Sequence, residues 1–122
     1  MLVLGGSGGS KKIRQRIATV LTRVAPTVVA GDIVVDVFIV GGKMHQYTVH
    51  SYEWPIGFPK PDIAARPIGE IYLNPDYIQA HDQNFDYLLI HGFLHCLGYD
   101  HVRENDRMKM EKREEELALL LS

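Results

Sequence analysis

The longest departure from alternation along the chain lies between Phe85 and Leu97. There Phe85, Tyr87, Leu88, Leu89, Ile90, Phe93, Leu94, Cys96 and Leu97 leave almost no polar face. An apolar run of this length reads as a buried helix, from about Gln83 to Leu97. Earlier, Ile13, Ile17, Val20, Leu21 and Val24 recur at helical spacing. They predict an amphipathic helix from about Lys11 to Val24, ended by Pro26. Ile33 to Val40 is rich in β-branched residues and reads as a buried strand. Gly41-Gly42 predicts a tight turn into a second strand near His45 to Tyr52. Glu53 to Pro67, interrupted by Pro55, Pro59 and Pro61, reads as an irregular loop. Ile68 to Leu73 is a third strand, closed by Asn74-Pro75, and Met1 to Leu4 a short further one. A last helix runs from about Asn105 to Leu121. Met108, Met110, Leu117, Leu120 and Leu121 are available for its packing, and its glutamates and lysines form a solvated face.

These elements predict an α+β fold. A small mixed sheet of three or four strands packs on the buried central helix, and the terminal helices flank it. At 122 residues the chain is one domain, 1–122, with ordinary apolar and charged fractions. Gly5 to Ser10 is a flexible linker by composition. A phosphate-binding loop would need Gly-Lys-Ser/Thr there, and Ser10-Lys11-Lys12 fails that pattern at two positions. No apolar run approaches the roughly 18 residues of a membrane span, so the expected compartment is the cytoplasm.

The central helix also carries the chemistry. His91 and His95 are four residues apart, on one helical face, separated by a rise of roughly 6 Å. Gly98 stands where a helix commonly ends in the left-handed conformation, which lets the chain turn back and bring His101 to the same point. Three neutral imidazoles with a fourth position for water form the ligand set of a catalytic zinc site. Burying two imidazoles without partners costs about 2 kcal/mol or more each, and one metal serves both. Cys96 lies about 100° round the helix from His95 and reads as core. The zinc proteases place a glutamate right after the first histidine, and this chain has Gly92 there, so peptide hydrolysis by that route is disfavoured.

The run His91-Gly92-x-Leu94-His95-x-Leu97-Gly98-Tyr99-Asp100-His101 resembles the signature of the YbeY family of metal-dependent endoribonucleases, which mature ribosomal RNA. Met110-Glu111 and Glu114 in the last helix, and the strand Gly69-Glu70-Ile71-Tyr72-Leu73, are similar to the family as well. The resemblance runs from about Ile33 to Leu121 and implies a zincin-like fold. It also implies one divalent ion per chain, Zn2+, cleavage of single-stranded RNA, and ribosomal RNA or the small subunit as partner. Family members place an arginine near the metal, after a segment that Gly41-Gly42 replaces here; Lys43 is the nearest basic residue.

The net charge of −2 argues against indiscriminate nucleic-acid binding. Yet no acidic residue precedes Asp32, whereas Lys11, Lys12, Arg14, Arg16 and Arg23 are basic. With Lys43, the first four are candidate RNA contacts; a solvated helix face is the alternative reading. Three imidazoles on zinc bring the pKa of bound water to about 7, for attack on a phosphodiester; attack by the RNA 2′-hydroxyl is the other route. Asp100 is a candidate for orienting a ligand ring or moving protons, with a turn-forming role as the alternative. Two rival functions remain at this stage. One is an atypical zinc peptidase, since the histidine spacing also resembles that of the metzincins. The other is a non-catalytic ribosome-assembly factor with a structural metal, for which His50 or Glu53 would be the fourth donor.

Overall fold

The computed structural model describes residues 2–29, 31–42, 47–51 and 66–121. Most of the expected Glu53–Pro67 loop, including Glu53, lies outside these residues, as does Lys43. In chain order the elements are β1 (Leu2–Gly5), α1 (Lys11–Val28), β2 (Ile33–Ile39), β3 (Tyr47–Ser51), β4 (Arg66–Leu73), α2 (Pro75–Ala80), α3 (Phe85–Cys96) and α4 (Glu104–Leu119). The fold is α+β. Its sheet has the order β1-β2-β4-β3: β1, β2 and β4 run parallel, and β3 pairs antiparallel to β4. Parallel neighbours need a crossover, which α1 supplies between β1 and β2.

Alternation along β2 and β4 gives the sheet two unlike faces. Ile33, Val35, Val37, Ile68, Ile71 and Leu73 point into the core, where α1 contributes Ile17, Val20, Leu21 and Val24. Leu89, Ile90, Phe93 and Leu94 of α3 complete it. Each such side chain contributes about 1.5–3 kcal/mol by leaving water. The other sheet face carries half-buried Asp36, Phe38, Glu70 and Tyr72.

Four expectations about the elements are corrected. α1 runs past Pro26 to Val28: the proline forfeits its own N–H bond, but Val29 N–H still donates to the Ala25 carbonyl at 3.0 Å. β4 begins at Arg66, so Pro67 is a strand residue. It sits where pairing with β2 slips between Val34 and Val35, and among the described residues the pairs with β3 run from Leu73 to Gly69; such an irregular strand end tolerates a missing N–H. Asn74-Pro75 does more than close β4. The Asn74 side chain accepts from Tyr77 N–H at 3.3 Å and caps α2, with Pro75 in the first turn. On α4, Met110 and Leu117 are buried, but Met108 and Leu120 face solvent.

The Gly5–Ser10 stretch lies beside β2: Ile39 N–H donates to the Ser7 carbonyl at 2.9 Å. Ser10 then caps α1 by accepting from Ile13 N–H at 3.1 Å. Arg14 reaches back from α1 and donates to the Val37 carbonyl at 2.6 Å and the Gly5 carbonyl at 3.1 Å, fastening this stretch to both strands.

Gly92 sets how closely α3 approaches the sheet. A Cβ there would lie 3.2 Å from Ile71 Cγ2 and 3.3 Å from Val49 Cγ2. The close neighbours are thus strand side chains. Gly92→Val should lose about 1–3 kcal/mol of unfolding free energy in urea, through overpacking. Gly92→Ala should stay near neutral, since a helix-propensity gain of about 1 kcal/mol offsets milder crowding.

Candidate metal centre

α3 starts at Phe85 because Asn84 caps it, its side chain accepting from Tyr87 N–H at 3.0 Å. From there the buried stripe fixes the helix's rotation, and His91 and His95 emerge half-buried. The helix ends in a Schellman-type motif. Tyr99 N–H donates to the Leu94 carbonyl at 3.1 Å and Gly98 N–H to the His95 carbonyl at 3.0 Å, with Gly98 at φ +99°. This exit does two things. It places the Tyr99 carbonyl 2.9 Å from His95 Nδ1, and it returns the chain so that exposed His101 joins the other two histidines. One ring nitrogen from each histidine lies within 4.8 Å of the others.

The hydrogen bonds decide which nitrogens carry lone pairs. A carbonyl only accepts, so His95 Nδ1 bears its hydrogen toward Tyr99. His91 Nδ1 lies 2.6 Å from Glu114 Oε1, and the other oxygen of that carboxylate accepts from the Tyr87 hydroxyl. Both Nε2 atoms are therefore left as lone pairs in the neutral rings, and they face each other 3.1 Å apart. Two lone pairs repel unless a cation lies between them. Tetrahedral zinc ligands would stand roughly 3.4 Å apart, so the observed spacing fits such an ion. Burial and then the neighbouring His91 lower the pKa of His95, which keeps its ring in the neutral, ligating form. The three histidines are placed to bind a metal.

Glu114 was singled out in the sequence only for its likeness to the family, with no role at the site. Its helix was expected to turn its glutamates outward, yet Glu114 is 2% exposed. The available signal was its spacing from Met110 and Leu117, four residues before and three after, which puts it on α4's buried stripe. Asp100 is exposed, and its carboxylate accepts from Val102 N–H at 3.2 Å in the turn before α4. The rings of His91 and His95 are held by Glu114 and by the Tyr99 carbonyl. Burial pushes the Cys96 thiol up to about 12, and at 6% exposure it belongs to the core. His50 lies in β3.

The candidate RNA contacts divide. Arg14 is committed to the two carbonyls described above. Arg16 forms two bonds to Asp86, at 2.7 and 3.0 Å, and lies 5.7 Å over the Phe85 ring, tying α1 to the start of α3. Lys11 and Lys12 are exposed.

Glu114→Gln should lower zinc affinity about 10–100-fold in a chelator competition, because a carboxamide sets His91 less firmly. Zinc binding should also weaken as pH falls below about 6.5, since a protonated imidazole has no lone pair to give. Without metal, the depressed His95 pKa makes the unfolded chain the stronger proton binder just below pH 6.5. The unfolding free energy of metal-free protein should therefore drop as pH falls through that value toward the lower folded pKa. Urea titrations at several pH values check this.

The model of the family described as Endoribonuclease YbeY matches residues 10–121. A Francisella philomiragia protein named Endoribonuclease YbeY is 39% identical over 75 residues, covering 55% of this chain and 47% of the relative. One of the same name from Nitratiruptor is 38% identical over 73 residues, 52% of this chain and 49% of the relative. A Clostridium botulinum protein of that name reaches 46% identity over 46 residues, 38% of this chain and 28% of the relative. The chain thus spans about half the length, or less, of these curated relatives. The solution structure of TM1509 from Thermotoga maritima superposes with a TM-score of 0.51 at 23% identity, covering 96% of this chain and 89% of that one, a likeness of fold. With nearly the whole chain matched by the family model and the three histidines of its signature brought together in space, the chain belongs to the YbeY family.

Proposed function

We propose that this chain is a zinc-dependent endoribonuclease that cuts single-stranded RNA, in ribosomal RNA maturation in the cytoplasm. The observation that carries the proposal is the approach of the Nε2 atoms of His91 and His95 to 3.1 Å, with His101 beside them. The names of the relatives supply the substrate class. The arrangement is zincin-like in its ligand helix, glycine turn and third histidine, but position 92 holds no carboxylate and is packed against Ile71 and Val49. A peptidase would lack its glutamate base there.

A divalent cation at this site supplies Lewis-acid polarisation of a phosphoryl oxygen and acidifies water. The chain's own groups prepare the site. Glu114 and the Tyr99 carbonyl hold the Nδ1 protons and so keep both Nε2 atoms available. Lys11 and Lys12, at the start of α1, are exposed for phosphate contact. Among the described residues, no helix is long and apolar enough to cross a membrane.

The deciding assay incubates zinc-loaded protein with labelled single-stranded RNA and with casein, each with and without chelator, beside His91→Ala. Chelator-sensitive RNA cleavage should appear in the wild type and fall at least about 100-fold in His91→Ala, by analogy with loss of an activating group. Chelator-sensitive casein cleavage would instead favour the peptidase. Tight RNA or ribosome binding without cleavage would favour the assembly factor.

A further inference from the structure

The face of α3 that carries His91 and His95 begins one turn earlier with Tyr87, four residues before His91. The Tyr87 hydroxyl donates to Glu114, the carboxylate that also holds His91. The residue is nevertheless 44% exposed, and its ring lies near the His91 ring with centroids 6.2 Å apart and planes 21° from parallel. An exposed tyrosine ordinarily keeps its rotamer freedom. This one is anchored at both ends, by the capped first turn of α3 and by the buried carboxylate on α4.

We propose that Tyr87 is the platform on which a nucleobase of single-stranded RNA stacks beside the metal centre. The proposal rests on the endoribonuclease reading and adds a residue to it. Single-stranded RNA is held largely by stacking of bases on aromatic rings, because every base offers a π-face. A ring already fixed in place loses little entropy when a base settles on it. Glu114 is buried, so the exposed part of the platform is the ring. The sheet offers another aromatic pair, Phe38 and Tyr72, but those rings stack on each other at 4.9 Å. The Tyr72 hydroxyl also bonds Glu70, and the charges of Glu70 and Asp36 both act on it, an acidic setting that repels phosphate.

The test uses zinc-loaded full chain and a fluorescent single-stranded RNA in which each nucleotide in turn is replaced by an abasic one. Tyr87→Leu should weaken binding of the intact RNA roughly five- to hundredfold and raise KM more than it lowers kcat. At one position the abasic RNA should bind the wild type as weakly, and Tyr87→Leu should weaken it no further. Tyr87→Phe and Tyr87→Trp, which keep a ring, should restore binding to within about twofold. Abasic effects equal in wild type and Tyr87→Leu at every position would overturn stacking, as would a leucine variant that binds RNA like the wild type. Those results leave the endoribonuclease reading standing if the wild type still cleaves. A wild type that neither binds nor cleaves RNA overturns both. Should Tyr87→Leu not fold, photocrosslinking of 5-iodouridine RNA to the wild type decides: attachment at Tyr87 supports the platform, and attachment only elsewhere overturns it.

Discussion

The arrangement of this chain depends on two imidazole nitrogens being kept as lone pairs 3.1 Å apart inside a protein. Such a pair is unfavourable without a cation, and it persists because each ring's other nitrogen is fixed from a different direction. For His95 the fixing group is local, a carbonyl three residues past the helix. For His91 it is distant in sequence, a carboxylate on α4. The site therefore requires α3 to be rotated correctly on the sheet and α4 to be docked against α3. The core supplies the first condition through Leu89, Ile90, Phe93 and Leu94, and Gly92 allows the close approach. Met110 and Leu117 supply the second by anchoring the helix that carries Glu114.

Charges that look alike in a sequence divide by what they touch. Arg14 lies on main-chain carbonyls near the ends of two strands, and Arg16 is shared between Asp86 and the Phe85 ring. Both work within the fold, joining α1 to its neighbours. On α4 a similar division holds between Glu114 and the exposed glutamates around it; Glu116, for instance, pairs at the surface with Arg113 at 2.6 Å. Composition cannot separate these cases, because the difference lies in where each helix turns its stripe.

The histidine motif was legible because its geometry is nearly all local: four residues on a helix, then a glycine exit. The buried helix, the β-branched strand Ile33–Ile39 and the amphipathic α1 were legible for the same reason, since periodicity reports burial directly. Part of what escaped depended on partners far along the chain. Pro67 could be read as a strand residue only by knowing that its neighbours shift register there. Pro26 stopped α1 in the reading, yet the helix continues two residues beyond it. α2 had every local sign, an asparagine cap, Pro75 and Asp76, and was missed because the same dipeptide also ends a strand.

The helix exit at Gly98 has a consequence for folding. All three histidines fall within one eleven-residue stretch, so gathering them closes only a short loop, whose entropic cost is small. An unfolded chain can retain part of its affinity for metal through that stretch alone. A ligand that also binds the unfolded state stabilises the fold by less than its full binding free energy. The share that does favour the native state comes through the long-range contact to Glu114, so the ion rewards docking of α4 more than formation of the ligand loop.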